Sequence, residues 1–210
     1  MISQKANTLF WDKIAEKYSK TPIVDEASYQ QKLKLTQEHF SKQSTVFEFG
    51  CGTGTTAIHH APHVKHIDAI DISENMLDIA RQKAKDSNVQ NINFQKASIA
   101  DFNIKNNSYD VVLAMSILQL LEDKELAIEK SYEMLKPGGV FISSTACIRE
   151  KIPFFNFFAP LAQLLRLIPL VSSFSTKQLK NSMIQANFNI EYEWQPNNSM
   201  VTFIIARKPG

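Results

Sequence analysis

Two cysteines, Cys51 and Cys147, are all that this 210-residue chain contains. A disulfide-dense scaffold is therefore excluded, and nothing in the thiol content calls for an oxidising compartment. Charge is balanced as well: 23 Lys+Arg stand against 21 Asp+Glu, a formal charge of +2. That rules out a strongly basic nucleic-acid binder and an acidic solvating tail. The opening residues, Met1-Ile2-Ser3-Gln4-Lys5, carry no basic stretch followed by an apolar run, so no secretory leader is expected and a cytoplasmic setting is the default. There is neither an internal repeat nor a low-complexity tract. What remains is 44% hydrophobic and 21% charged, the balance of a folded soluble protein. The length suits one domain with a real core.

The first forty residues read as helices, with Phe10, Ile14 and Tyr18 recurring about every fourth position and a second candidate after Pro22 containing Leu33, Leu35, His39 and Phe40. Short β-prone runs follow at Thr45–Phe49, Ile67–Asp71, Ile92–Gln95, Tyr109–Met115 and Val140–Ser144. The fourth is nearly all apolar, as a central parallel strand should be. Between the runs lie helical patterns. Ser73 is placed as an N-cap, and Asp123 opens a helix that Lys136-Pro137-Gly138-Gly139 ends. Alternating strands and helices predict a parallel sheet covered on both faces. Two final runs, Phe188–Trp194 and Met200–Ala206, flank Pro196-Asn197-Asn198-Ser199 and predict a hairpin.

The most informative stretch is Val46–Gly54, VFEFGCGTG. A strand runs into glycines at 50, 52 and 54, and a helix is expected from about Thr55. Without Cβ atoms the backbone can turn sharply and approach a ligand. The dinucleotide fingerprint would place Gly or Ala at position 55, where this chain has Thr. Glu48 lies two residues before the first glycine, awkward beside a pyrophosphate and compatible with a cationic ligand. Asp71 closes the next strand, 21 residues after Gly50, where a carboxylate can accept from both hydroxyls of a ribose.

VFEFGCGTG, then AIDIS with Asp71, then SYDVVLAMSIL, then LKPGGVF resembles the class I S-adenosylmethionine-dependent methyltransferases, in particular the small-molecule branch that includes the ubiquinone and menaquinone biosynthesis enzymes. The resemblance spans Phe10 to Gly139 well and the sheet pattern to Ala206 loosely. It implies an α/β, Rossmann-like, seven-stranded sheet of order 3-2-1-4-5-7-6 with strand 7 antiparallel and helices on both faces. It implies one domain over 1–210, with a helical cap at about 1–43 and an apolar lid insertion at about 150–174. S-adenosyl-L-methionine would be the cofactor and S-adenosyl-L-homocysteine the product. Glu48, Gly50, Gly52 and Gly54, with Cys51 among them, would form the loop around the methionine part. Asp71 would hold the ribose, Ile72 and Met76 would pack on the adenine, and Met115 would lie at the end of strand 4 over the sulfonium. Relatives carry an acid after strand 3 for the adenine amino group. This chain has Ser98 there, so its hydroxyl, the Ile99 N–H or Asp101 is left to serve.

A sulfonium methyl is already electrophilic, so alignment and exclusion of water are the main tasks. A dedicated base is needed only when the acceptor holds its proton. Tyr18, an aromatic that matches a cofactor-covering position in relatives, and Gln119 are weak catalytic candidates; a packed amphipathic-helix residue is the competing reading of Tyr18, and an ordinary helix surface residue that of Gln119. Ile152–Phe174 is apolar except for Arg166. Pro153, Pro160 and Pro169, with Asn156 and Gln163, argue against a membrane span. A lid over an apolar acceptor, core packing, and a membrane-surface or dimer contact stay open. His59, His60, His63 and His66 suggest metal spacing, but Pro62 interrupts them and a surface helix is the plainer expectation, with no metal. The expected acceptor is a small apolar or aromatic molecule. Nucleic acid is not expected, because Ala114-Met115-Ser116-Ile117 stands where base methylases carry an acid-or-amide-Pro-Pro-aromatic motif. Methylation of a protein, and a non-catalytic role as a cofactor sensor or scaffold, compete with the small-molecule reading.

Overall fold

The computed structural model describes residues 4–152, 169–196 and 199–210. Helices α1 (Gln4–Ser19) and α2 (Glu26–Gln37) precede strand β1 (Thr45–Phe49). Then follow α3 (Thr55–His60), β2 (His66–Asp71), α4 (Glu74–Asp86), β3 (Ile92–Lys96), β4 (Tyr109–Met115), α5 (Lys124–Met134) and β5 (Leu135–Ala146). After the insertion come α6 (Thr176–Gln185), β6 (Asn189–Trp194) and β7 (Val201–Arg207). Most of the apolar segment expected at 152–174, residues 153–168, lies outside the described residues. Among those described, no helix is long and apolar enough to cross a membrane.

The strands form one sheet of order β3-β2-β1-β4-β5-β7-β6. All neighbours are parallel except β7, which runs antiparallel to both β5 and β6. This is the order the sequence motifs imply. The central position of β1 and β4 explains their composition: Val46, Phe47, Val111, Val112 and Leu113 are all fully buried, because both faces carry helices. Each such side chain contributes roughly 1.5–3 kcal/mol on leaving water. At one edge, β6 alternates half-buried Ile190, Tyr192 and Trp194 with exposed residues, as a strand packed on one face must.

Local signals behave as expected at several helix ends. Ser73 caps α4 by accepting from the Met76 N–H at 3.2 Å, and Asp123 caps α5 by accepting from the Leu126 N–H at 2.9 Å. Helix α3 starts at Thr55 behind Gly54. One expectation fails. His60 is fully buried rather than on a surface helix, edge-on to Phe40 at 5.0 Å. Burial, with the charges of His59 and His63, pushes it down to about 3, so it is a neutral core residue.

Chain order sets the position of the site. From β1 the chain proceeds outward to β2 and β3, then crosses back to β4 on the other side of β1. The loops that leave the C-terminal ends of β1 and β4 therefore diverge, and a crevice opens between them.

Candidate functional site

A cavity of about 250 Å³ occupies that crevice. It is lined by Phe49 at the end of β1 and Gly50 and Gly52 from the loop that follows, by Asp71, Ile72 and Met76, by Ala97–Ala100 after β3, and by Met115–Ile117 at the end of β4 and just beyond it. Helix α1 closes it with Asn7, Trp11 and Tyr18. Leu120, Leu121 and Leu170 add apolar lining, and Glu122 and Asp123, which follow Leu121 in the chain, line it too. Asp71, Glu122 and Asp123 are its charged lining residues; no lysine, arginine or histidine lines it among the described residues.

The three loop glycines all have positive φ, +67°, +53° and +72° at Gly50, Gly52 and Gly54, a region costly for residues with a Cβ. Their surroundings differ. A Cβ on Gly52 would meet nothing within 4 Å among the described residues, so that face of the loop is open to them. A Cβ on Gly54 would lie 2.7 Å from the Ala80 Cβ and 3.0 Å from Phe94. Gly54 thus seats α4 and β3 against the loop and is not in the cavity lining. On Gly50 the Cβ would strike Ile117 at 2.4 Å.

Asp71 is clamped. Its Oδ2 accepts from the Gly52 N–H at 2.8 Å and its Oδ1 from the Ser73 N–H at 2.9 Å. Burial pushes its carboxyl up, and the backbone N–H groups of Ser73, Gly52 and Ile72 oppose that; the charge of Asp12 adds to the rise. Below the loop, Glu48 is 2% exposed, and its Oε2 is buried without a partner among the described residues. It shares a face of β1 with Val46, and its carboxyl is pushed up to about 8 by burial first and the Asp71 charge second.

Two expected site residues stand elsewhere. Cys51 does not line the cavity: it is buried, its N–H donates to the Ile70 carbonyl at 3.1 Å, and burial raises its thiol far from reactivity. Gln119 is buried, not on a helix surface, and does not line the cavity; its Nε2 donates to the Ser116 carbonyl at 2.8 Å. Tyr18 does line it and is 50% exposed. Ser98 and Ile99 line it, whereas Asp101 faces a neighbouring cleft with Asp68 and Lys105.

Sequence reading missed how α1 is attached. Asp12 Oδ1 accepts from the Ser73 hydroxyl at 2.6 Å and the Asn75 N–H at 3.3 Å, and the Asp12 carbonyl accepts from Asn75 Nδ2 at 3.1 Å. The knot joins α1 to the first turn of α4, next to Asp71. Asn7 also accepts from the Leu170 N–H at 3.1 Å. The available signal was a capping serine, Ser73, whose hydroxyl proton still needed an acceptor.

Residues 46–139 match a family model described as a methyltransferase domain. A demethylmenaquinone methyltransferase from Symbiobacterium thermophilum is 27% identical over 184 residues, covering 83% of this chain and 72% of its own. A ubiquinone biosynthesis O-methyltransferase from Coxiella burnetii is 28% identical over 115 residues, covering 54% of this chain, which spans about half (49%) of that relative. Among solved structures, the N-methyltransferase NodS from Bradyrhizobium japonicum, in complex with S-adenosyl-L-homocysteine, superposes with a TM-score of 0.75 at 18% identity, over 98% of this chain and 100% of its own. In its motifs, its strand order and the domain at 46–139, the chain is similar to the S-adenosylmethionine-dependent methyltransferases.

Proposed function

We propose that the chain methylates a small apolar or aromatic molecule, with the cofactor seated in the crevice at the end of β1 and the acceptor in its apolar extension. The observation that carries the reading is the mixed lining: glycine backbone and Asp71 share one cavity with Trp11, Ile117, Leu120, Leu121 and Leu170. The relatives named for menaquinone and ubiquinone biosynthesis support a ring acceptor. The domain organisation belongs to the same proposal: one methyltransferase domain with residues 1–43 as its helical cap and the 150–174 segment as a lid, in a cytoplasmic setting.

The residues fit the cofactor. Asp71 offers free lone pairs beside the Gly52 face of the loop, Ile72, Met76 and Ile99 supply apolar lining, and the buried, protonated Glu48 carboxyl is a group that a cationic ligand would favour in its ionised form. Bound S-adenosyl-L-methionine supplies a methyl on a positively charged sulfur. The chain's own part is then to orient and dehydrate. Asp71 would fix the sugar, and Ile72 and Met76 would sandwich the base. Trp11 and Tyr18, edge-on to each other at 6.2 Å, would cover the reacting centre from water. Ser116 holds a left-handed φ of +59°, and its N–H donates to the Ser144 carbonyl at 2.7 Å; this fixes the wall after β4 where the acceptor would enter.

Incubation with methyl-labelled cofactor and a panel of reduced naphthoquinones and phenols should give a labelled product that partitions into organic solvent. Label found only in RNA or protein, or no transfer to any member despite cofactor binding, would overturn the reading.

Glu48 gives the site a pH signature. An unfolded glutamate ionises near 4.5, whereas folded Glu48 holds its proton to about 8. The folded state therefore binds more protons across that interval, and stability falls as pH rises through it. Glu48→Gln should flatten the decline of melting temperature between pH 5 and 8 and leave stability below pH 4.5 unchanged. Cofactor binding near pH 7 should release a proton in the parent protein but not in the variant, read by calorimetry in buffers of different ionisation enthalpy. Equal proton release in both would remove Glu48 from the cationic end of the site.

A further inference from the structure

The turn after β3 is tied down from an unexpected direction. Lys130 of α5, some thirty residues further along, aims its ammonium at three backbone carbonyls of that turn: Ile99 at 3.0 Å, Ala100 at 2.6 Å and Phe102 at 3.1 Å. An ammonium has three protons and no acceptor, so these carbonyls saturate it. The remaining polar groups of the turn close on Ser98. Its carbonyl accepts from the Asp101 and Phe102 N–H groups at 3.2 and 2.9 Å, and its hydroxyl accepts from the Ala100 N–H at 3.2 Å. The Ile99 N–H has no partner among the described residues, and Ile99 lines the cavity.

We propose that Lys130 is a positioning residue that sets the cofactor's purine selectivity. The inference rests on the assignment of this cavity to the cofactor. With serine rather than an acid at position 98, reading the edge of the base falls to the backbone of this turn. The Ile99 N–H belongs to the peptide whose carbonyl, that of Ser98, is held by the Asp101 and Phe102 N–H groups. Lys130 holds the three carbonyls that follow, at Ile99, Ala100 and Phe102, and so keeps the turn's acceptors off the base and leaves the Ile99 N–H as its donor. Adenine matches such a wall, because its ring nitrogen beside the amino group is an acceptor. Hypoxanthine carries a proton on that nitrogen and meets donor with donor. A site built around one such hydrogen bond rejects the mismatched partner strongly, since a buried donor is left unpaired.

The test is calorimetric titration of the full chain with S-adenosyl-L-homocysteine and with S-inosyl-L-homocysteine. The parent protein should prefer the adenine compound by about a hundredfold or more. Lys130→Met should cut that preference at least about tenfold, by weakening the first ligand more than the second. Lys130→Arg, which can still donate to carbonyls, should keep it. Lys130→Gln, with two donor protons, should fall between and serves if the methionine variant melts before titration. A preference unchanged in Lys130→Met and Lys130→Gln, whether affinities stay the same or both drop together, would reduce Lys130 to a fold-stabilising contact and overturn the proposal. Failure of the parent protein to bind the adenine compound would instead bring down the cofactor assignment itself.

Discussion

Asp71→Ala should weaken S-adenosyl-L-homocysteine binding by two to three orders of magnitude while the fold survives. Two effects combine. The sugar loses a charged acceptor, and hydrogen bonds to a charged group are worth about 1.5–3 kcal/mol each. In addition, the N–H groups of Gly52 and Ser73 that converge on this carboxylate lose their partner. The loss for binding is then about 3–4 kcal/mol, at about 1.4 kcal/mol per tenfold. The fold loses less, because burial already disfavours the charged carboxylate: relief of that strain offsets part of the unpaired N–H cost. Asp71→Asn should rescue little. An amide has one oxygen for two N–H groups that now engage both carboxylate oxygens, and its NH₂ would face a donor. Titration calorimetry and a melting curve on both variants decide the matter. Affinity within threefold of the parent in both would mean that Asp71 braces the loop and nothing more.

The glycine loop should split into two kinds of position when mutated. Gly54→Val places a branched side chain where a Cβ alone already lies 2.7 Å from Ala80, at a φ of +72°. Overpacking and left-handed strain together cost about 2–5 kcal/mol, which for a domain of this size lowers the melting temperature by about 4–20 °C. Gly52→Val meets open space within 4 Å, at a φ of +53°. Its cost to the fold is the backbone strain alone, about 1–2 kcal/mol, or roughly 3–6 °C. Its cost to binding is near total, because the new side chain fills the cofactor's face of the loop. The pair is therefore a crossed comparison: a stability defect at 54 and a binding defect at 52. If Gly52→Val bound S-adenosyl-L-homocysteine normally, that face would not be the cofactor's.

The same contrast shows how far the sequence could be read. The alternating strands and helices and the glycine loop were legible from short-range pattern, namely apolar runs, glycines at strand ends and an acid closing β2, whereas the strand order was legible only through the family resemblance. Whether a glycine serves a ligand or a neighbouring helix was not, since Gly54 is explained by Ala80 and Phe94, which no local pattern links to it. Cys51 and Gln119 were misplaced for the same reason. Each lies within one residue of a cavity-lining residue in sequence, but a single step along a strand end or a tight turn reverses the side-chain direction. His60 sits among three other histidines, and only the packing of Phe40 shows that it faces inward. The Asp12 knot joins residues 61 and more positions apart, and Lys130 reaches back about thirty. Such contacts belong to tertiary structure, where one chain's polar side chain meets another segment's unspent backbone.

The carboxylate-only lining has a bearing on turnover. Asp71, Glu122 and Asp123 make the cavity electronegative, with no cation among the described lining residues to offset them. A ligand entering with a positive sulfur is attracted by that field; once its methyl has departed, the same sulfur is an uncharged thioether and the attraction lapses. On the proposed seating, discharge of the spent molecule would follow from the wall chemistry, and dissolved electrolyte, by damping the field, would blunt the distinction between the fresh and the exhausted forms.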